Sequence, residues 1–202
     1  MRNGAARPRA AVPVVVAALA VGVLATSCLL GRGDPTRFYV LTATVPAPSA
    51  GSGSFGIGLG PIAMPGYLRR PMLVTRIDDT QVRYADFDRW AEPLAALFAR
   101  ALGQDLSALL GAARIVPYPW YPATPLDVVV RVNVTAFEAD VHGNARLEAC
   151  WTIRDGRTAT VRRDDCASIA EAVARDGAQM QVAALSRAVG ELAQRIATAI
   201  RP

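Results

Sequence analysis

The residue pattern predicts an α+β domain, a mixed and largely antiparallel sheet covered on one face by two amphipathic helices. Three observations predict it. Two segments, from Trp90 to Leu110 and from Gln179 to Ile200, repeat apolar residues at spacings of three and four, the period of a helix with one buried face. The other apolar stretches alternate with period two, as half-buried strands do. Their order is strands, helix, several strands, helix, which leaves too few helices for a doubly wound sheet and puts both on one face.

Taken in order, Phe38 to Leu41 is a short apolar strand, and Pro46 to Ser54 is a Pro-, Ala-, Ser- and Gly-rich loop. Phe55 to Met64 alternates glycine with apolar residues, and Pro71 to Ile77 pairs with Gln81 to Tyr84 as a hairpin through an Asp78-Asp79-Thr80 turn. In the first helix Asp88 is the expected cap, Pro93 falls in the first turn and Gly111 ends it. Arg114 to Tyr118 and Leu126 to Glu138 are strands, the second with Val128, Val130, Val132 and Val134 on one face. Ala145 to Ile153 turns Leu147, Ala149, Trp151 and Ile153 inward. A three-residue turn at Arg154-Asp155-Gly156 would set Ala159 opposite Trp151, and Asp164 to Gly177 reads as a loop.

The first residues have the parts of a secretory signal: Arg2, Arg7 and Arg9, an uncharged apolar run from Ala10 to Leu24, then small residues before Cys28. The run is about fifteen residues, short of the roughly 20 that a spanning helix needs. Leu24-Ala25-Thr26-Ser27-Cys28 resembles a bacterial lipobox, so residues 1–27 are expected to be a lipoprotein signal peptide, with Cys28 lipidated. An ordinary secreted protein or an uncleaved anchor is the weaker alternative, since a lone thiol is a liability in an oxidising compartment. Residues 28–37 form the lipidated tether and 38–202 a single domain. Three of the 22 basic residues leave with the signal, so 19 arginines face 17 acids, a net +2 too balanced for a nucleic-acid partner.

Catalytic chemistry is poorly supplied. The single histidine, His142, sits in a turn beside Gly143, and no G-x-S-x-G elbow accompanies it. No cofactor is expected. No metal is expected either, because Cys150 and Cys166 lack both a C-x₂-C pair and a second histidine. Export would permit a Cys150–Cys166 disulfide, but the expected hairpin register puts Cys166 several residues past the position facing Cys150, so the bond stays a candidate. Asp78-Asp79 and Asp164-Asp165 read as turn residues. Gly56-Ile57-Gly58-Leu59-Gly60 reads as a strand of close backbone approach rather than a phosphate loop, because Pro61 and not a helix follows.

Several stretches together resemble the PqiC-type family of ABC-type transport auxiliary lipoproteins. They are Phe38-Tyr39-Val40-Leu41, Gly58-Leu59-Gly60-Pro61-Ile62 running into Met64 to Pro71, Arg89-Trp90-Ala91-Glu92-Pro93-Leu94, Tyr118-Pro119-Trp120 and Ala149-Cys150-Trp151. The resemblance implies a non-enzymatic, periplasm-facing accessory protein of an intermembrane system that moves lipids or other hydrophobic molecules. Its implied partners are a mammalian-cell-entry-type periplasmic protein and an inner-membrane permease, with the membrane reached through the N-terminal lipid; homo-oligomerisation is also open. Leu29 after the cysteine agrees with the outer membrane. Arg89, Trp90, Glu92, Pro93, Tyr118, Pro119 and Trp120 are the candidate partner-binding residues, being rich in the Trp, Tyr and Arg of interface hot spots. The alternatives are a carrier with a hydrophobic cavity between helices and sheet, and a secreted hydrolase using His142.

Overall fold

Hydrophobic alternation and helical periodicity resolve into eight strands and two helices in a computed structural model that describes residues 35–46, 55–111, 113–175 and 177–201. The expected signal peptide, Cys28 and the tether as far as residue 34 lie outside the described residues, as do residues 47–54 of the Pro46–Ser54 loop. In chain order the elements are β1 (Arg37–Tyr39), β2 (Gly56–Ala63), a 3-10 turn (Gly66–Arg69), β3 (Met72–Arg76), β4 (Val82–Trp90) and α1 (Leu94–Leu109). There follow β5 (Arg114–Pro117), β6 (Val128–Asp140), β7 (Asn144–Asp155), β8 (Val161–Ala172) and α2 (Ala178–Ile200).

The long strand β6 organises the sheet. One of its edges takes β7 and then β8, both antiparallel, while its other edge is shared lengthwise by β2, followed outward by β5, and by β3, followed by β4 and β1. The antiparallel ladders carry more paired residues than the shorter parallel ones, so the sheet is mixed and largely antiparallel. Helix α1 packs over β2 and β5 and α2 over β7 and β8, side by side on one face. The expected stripes are the buried ones. Leu94, Leu97, Phe98, Ala101, Leu102 and Leu106 of α1 and Leu185, Val189, Leu192 and Ile196 of α2 meet Val128, Val130, Val132, Leu147, Trp151 and Ile153 of the sheet. At the centre Phe98 meets Phe137 edge-on, ring centroids 5.4 Å apart, and Trp90 lies 6.5 Å from Phe137 on its other side.

Three local expectations are corrected. The first helix begins at Leu94 and not at Trp90, because Asp88 and Trp90 belong to β4: the Trp90 N–H donates to Pro71 O and the Ala91 N–H to Tyr39 O, which keeps the chain extended. Asp88 is therefore no cap but the partner of Arg37 and of the Tyr39 hydroxyl. Second, the β7–β8 connection is longer than three residues. Asp155 N–H donates to Thr160 O, and the Asp155 carboxylate accepts the Arg157 and Thr158 N–H groups, a turn chemistry that overrides apolar matching. Trp151 thus faces Asp165 and not Ala159. Third, most of the expected Asp164–Gly177 loop, Asp164-Asp165 included, is strand β8.

The chain after β1 is fastened between the helices. Leu41 is buried, Thr42 N–H donates to Ser186 Oγ on α2, and Asp105 Oδ1 on α1 accepts the Thr44 and Val45 N–H groups at 2.8 Å each. Burial raises the Asp105 carboxyl above its ordinary value, and the backbone donors pull the other way without cancelling it. A carboxyl so raised contributes stability that is full below its unfolded value, about 3.9, and is lost as pH climbs through the folded value. Urea melts should therefore show the wild type losing stability relative to Asp105→Asn as pH rises above about 4. A pH-independent difference would mean that Asp105 does not titrate there.

Candidate partner-binding surface

The glycines of β2 prepare one surface. Ile57 and Leu59 point into the core under α1, so Gly56, Gly58 and Gly60 present bare backbone on the opposite face. A Cβ at Gly58 would stand 2.7 Å from Leu126 Cδ1 and 3.4 Å from the Trp120 ring, and one at Gly60, whose φ is +116°, would stand 2.8 Å from Tyr118 Cβ. The missing side chains let Tyr118 and Trp120 lie directly on the strand. Tyr118 N–H donates to Leu59 O at 3.0 Å, and its ring meets Trp120 edge-on at 5.3 Å. Trp120 is half-buried, whereas Tyr118 is 57% and Tyr121 84% exposed.

Beside these aromatics runs an apolar groove of about 480 Å³ between α1 and β5, with Leu59, Ala99, Gly103 and Ile115 in its floor and Pro117 and Tyr118 at its rim. It continues past Ala95 towards Pro61 and Ile62. Small residues on this side of α1 leave the space: a Cβ at Gly103 would already be 3.2 Å from Ile115 Cγ2. Strand β5 pairs with β2 only, so its outer edge ends the sheet among the described residues. An open row of backbone donors and acceptors next to an apolar groove is the arrangement that accepts an added strand or a helix from a partner.

The seven predicted contact residues separate. Of the Tyr-Pro-Trp segment only Tyr118 lines this groove; Trp120 lies over Gly58 on the opposite face of β2, with the exposed Pro119 between them. Glu92 is joined to the groove through Arg100, a residue of its lining whose Nη2 lies 2.5 Å from Glu92 Oε2; that bond holds the Glu92 carboxyl below its ordinary value. Pro93 is exposed at the N-cap of α1. Trp90, at 5% exposure, is a core residue, and Arg89 points away from it on the next face of β4. Tyr121, the most exposed aromatic, was missed by sequence reasoning, though its place directly after Tyr-Pro-Trp marks it as part of the same loop.

The register of β7 and β8 sets Cys150 opposite Cys166, and the two form a disulfide on the sheet face away from the helices. His142 is exposed in the β6–β7 turn, where its N–H donates to Asp140 Oδ1. Among the described residues no cluster of three or more His, Cys, Asp or Glu could hold a metal ion, and no helix is long and apolar enough to cross a membrane. A cleft of about 930 Å³ lies between β8 and α2. It is lined by the ion pairs Arg163–Asp165, Arg187–Glu171 and Arg195–Glu191.

Solved structures share this fold. One, a crystal structure of an uncharacterized protein, aligns with a TM-score of 0.67 and 20% identity over 81% of this chain and 97% of its own. A Xanthomonas campestris protein assigned to the DUF330 family model aligns with a TM-score of 0.62 and 16% identity over 79% and 92%. No curated protein matches the chain. The family model for the ABC-type transport auxiliary lipoprotein component matches residues 39–197, from the end of β1 to the last turn of α2, and the chain belongs to that family.

Proposed function

We propose that this protein is a non-enzymatic accessory lipoprotein of an intermembrane transport system, anchored through Cys28 to the periplasmic face of the outer membrane. Its partners in this reading are a mammalian-cell-entry-type periplasmic protein and the inner-membrane permease of the same system, and its cargo is a lipid or another hydrophobic molecule. Family membership supports the transport-auxiliary role and an envelope location. The observation that carries the docking reading is the apolar groove beside the free β5 edge, framed by Tyr118 and Pro117. The core beneath the helices is filled by Phe98, Phe137, Leu102 and Leu192, and the larger cleft is lined by charge, so a hydrophobic ligand held between helices and sheet is the less supported reading.

A photo-crosslinking residue at Tyr121, in full-length protein expressed with the proteins encoded beside its gene, should capture the mammalian-cell-entry-type protein or the permease. Tyr118→Ala should reduce that capture about tenfold, the loss of one interface hot spot of roughly 1–2 kcal/mol, with an unchanged melting temperature. Capture of neither partner from position 121, while the same crosslinking residue placed at His142 captures one, would count against this surface.

A further inference from the structure

The sheet's other end carries an apolar surface that the groove does not use. Strands β1 and β4 run parallel, with Phe38 beside Arg89 and Tyr39 beside Trp90, and β3 adds Met72 on the far side of Arg89. Aligned residues on neighbouring strands share a face. Trp90 is buried against Phe137, so the Tyr39–Trp90 row faces the core, and the Phe38–Arg89–Met72 row faces away from the helices. Phe87, two residues before Arg89 in β4, and Val40, two residues after Phe38 and just past the end of β1, are the neighbouring exposed apolar side chains. Phe38 is 65%, Phe87 50% and Val40 45% exposed, and Arg89 is exposed with no ion pair among the described residues.

The chain leading into β1 says what lies opposite this face. Nine residue steps separate Cys28 from Arg37, and at about 3.3–3.6 Å per residue they reach no more than roughly 30 Å. If Cys28 is the lipid anchor, β1 is the first described strand after it and stays within roughly 30 Å of the bilayer. Two phenyl rings and a valine beside an unpaired guanidinium suit a headgroup layer, where the apolar bodies enter the boundary with the acyl chains and the cation meets lipid phosphates.

We infer that Phe38, Val40, Phe87 and Arg89 form the face by which the domain rests on its own membrane, with an anionic lipid surface as its partner. The inference rests on the lipid-anchor reading of Cys28 and adds an orientation to it: the β5 groove, which lies against α1 on the helix-covered face of the sheet, is left clear for a protein partner.

The test uses the full-length lipidated protein in vesicles of phosphatidylethanolamine and phosphatidylglycerol that contain nitroxide-labelled lipid. A fluorophore is attached through Val40→Cys in one sample and through Tyr121→Cys in another. Both proteins should float with the vesicles, and the label at position 40 should be quenched at least about twofold more than that at 121. Adding Phe38→Ser and Phe87→Ser to the Val40→Cys protein should leave flotation intact and bring its quenching down to the level seen at 121. Flotation with equal quenching at the two positions overturns the inference alone and leaves this face to a protein partner. Quenching at position 40 that survives loss of both rings overturns it too. Failure to float overturns the lipid-anchor reading and the inference with it.

Discussion

Replacing Glu138 with alanine is expected to destabilise the domain by about 3 kcal/mol, the lower end of the loss seen when one partner of a buried charge pair is removed. Glu138 is 1% exposed and fully engaged. Its Oε1 accepts Arg76 Nε and Nη2 at 2.9 and 2.8 Å, and its Oε2 accepts the Tyr67 hydroxyl and the Phe137 N–H at 2.8 Å each. The lower end applies because Arg76 keeps a quarter of its side chain in water. Burial, then the bond to Glu138, push the Tyr67 hydroxyl far above its ordinary value, so it stays protonated and donating at every physiological pH. Alanine would orphan the Phe137 N–H and leave the Tyr67 hydroxyl only a long 3.5 Å bond to Thr135 O. Glu138→Gln, which keeps an acceptor and loses the charge, should cost roughly half as much. Urea denaturation of the two variants measures the difference, and an alanine variant within about 1 kcal/mol of wild type would show that water replaces the carboxylate without loss.

Glu138 also marks where the sequence stops being legible. The Val128–Val134 face could be read because alternation is strict there, but a bulge at Thr135 shifts the register against β7. From that point the inward positions change parity: Phe137 and Ala139, not residues of the valine row's parity, face the core, and Glu138 turns to the outer face beneath Tyr67 and Arg76. A one-residue bulge leaves no compositional trace. Both helices and their buried stripes were legible, because an apolar face repeated over several turns is a redundant signal. The start of α1 was not, since Arg89-Trp90-Ala91-Glu92 fits a helical first turn as well as a strand end, and only the distant Pro71 and Tyr39 carbonyls decide between them. Of the candidate site, Tyr-Pro-Trp was legible from composition. The groove was not, because it depends on small α1 side chains that read as ordinary helix formers.

Removing the disulfide with Cys150→Ala and Cys166→Ala together is expected to cost about 3 kcal/mol, the chain-entropy value for a closed loop of some fifteen residues. The two cysteines are 16 residues apart in sequence. For a domain of this size that loss should lower the melting temperature by roughly 6–12 °C. The loss should also be localised. The residues of β8 that share a face with the core are Arg163, Asp165, Ala167 and Ile169, apolar only at their far end, so hydrophobic patterning specifies the β7–β8 register weakly. That weakness is the physical reason a shorter turn, with Ala159 facing Trp151, fits the sequence so well. Two features oppose such a slip: the Asp155 turn at the closed end, and the Cys150–Cys166 bond, which can form only where those two residues face each other. With the bond gone, amide exchange should accelerate along β8 while β6, held on both edges by β7, β2 and β3, keeps its protection. Uniform acceleration across the whole sheet would instead mean that the bond adds only global stability and that the Asp155 turn alone sets the register.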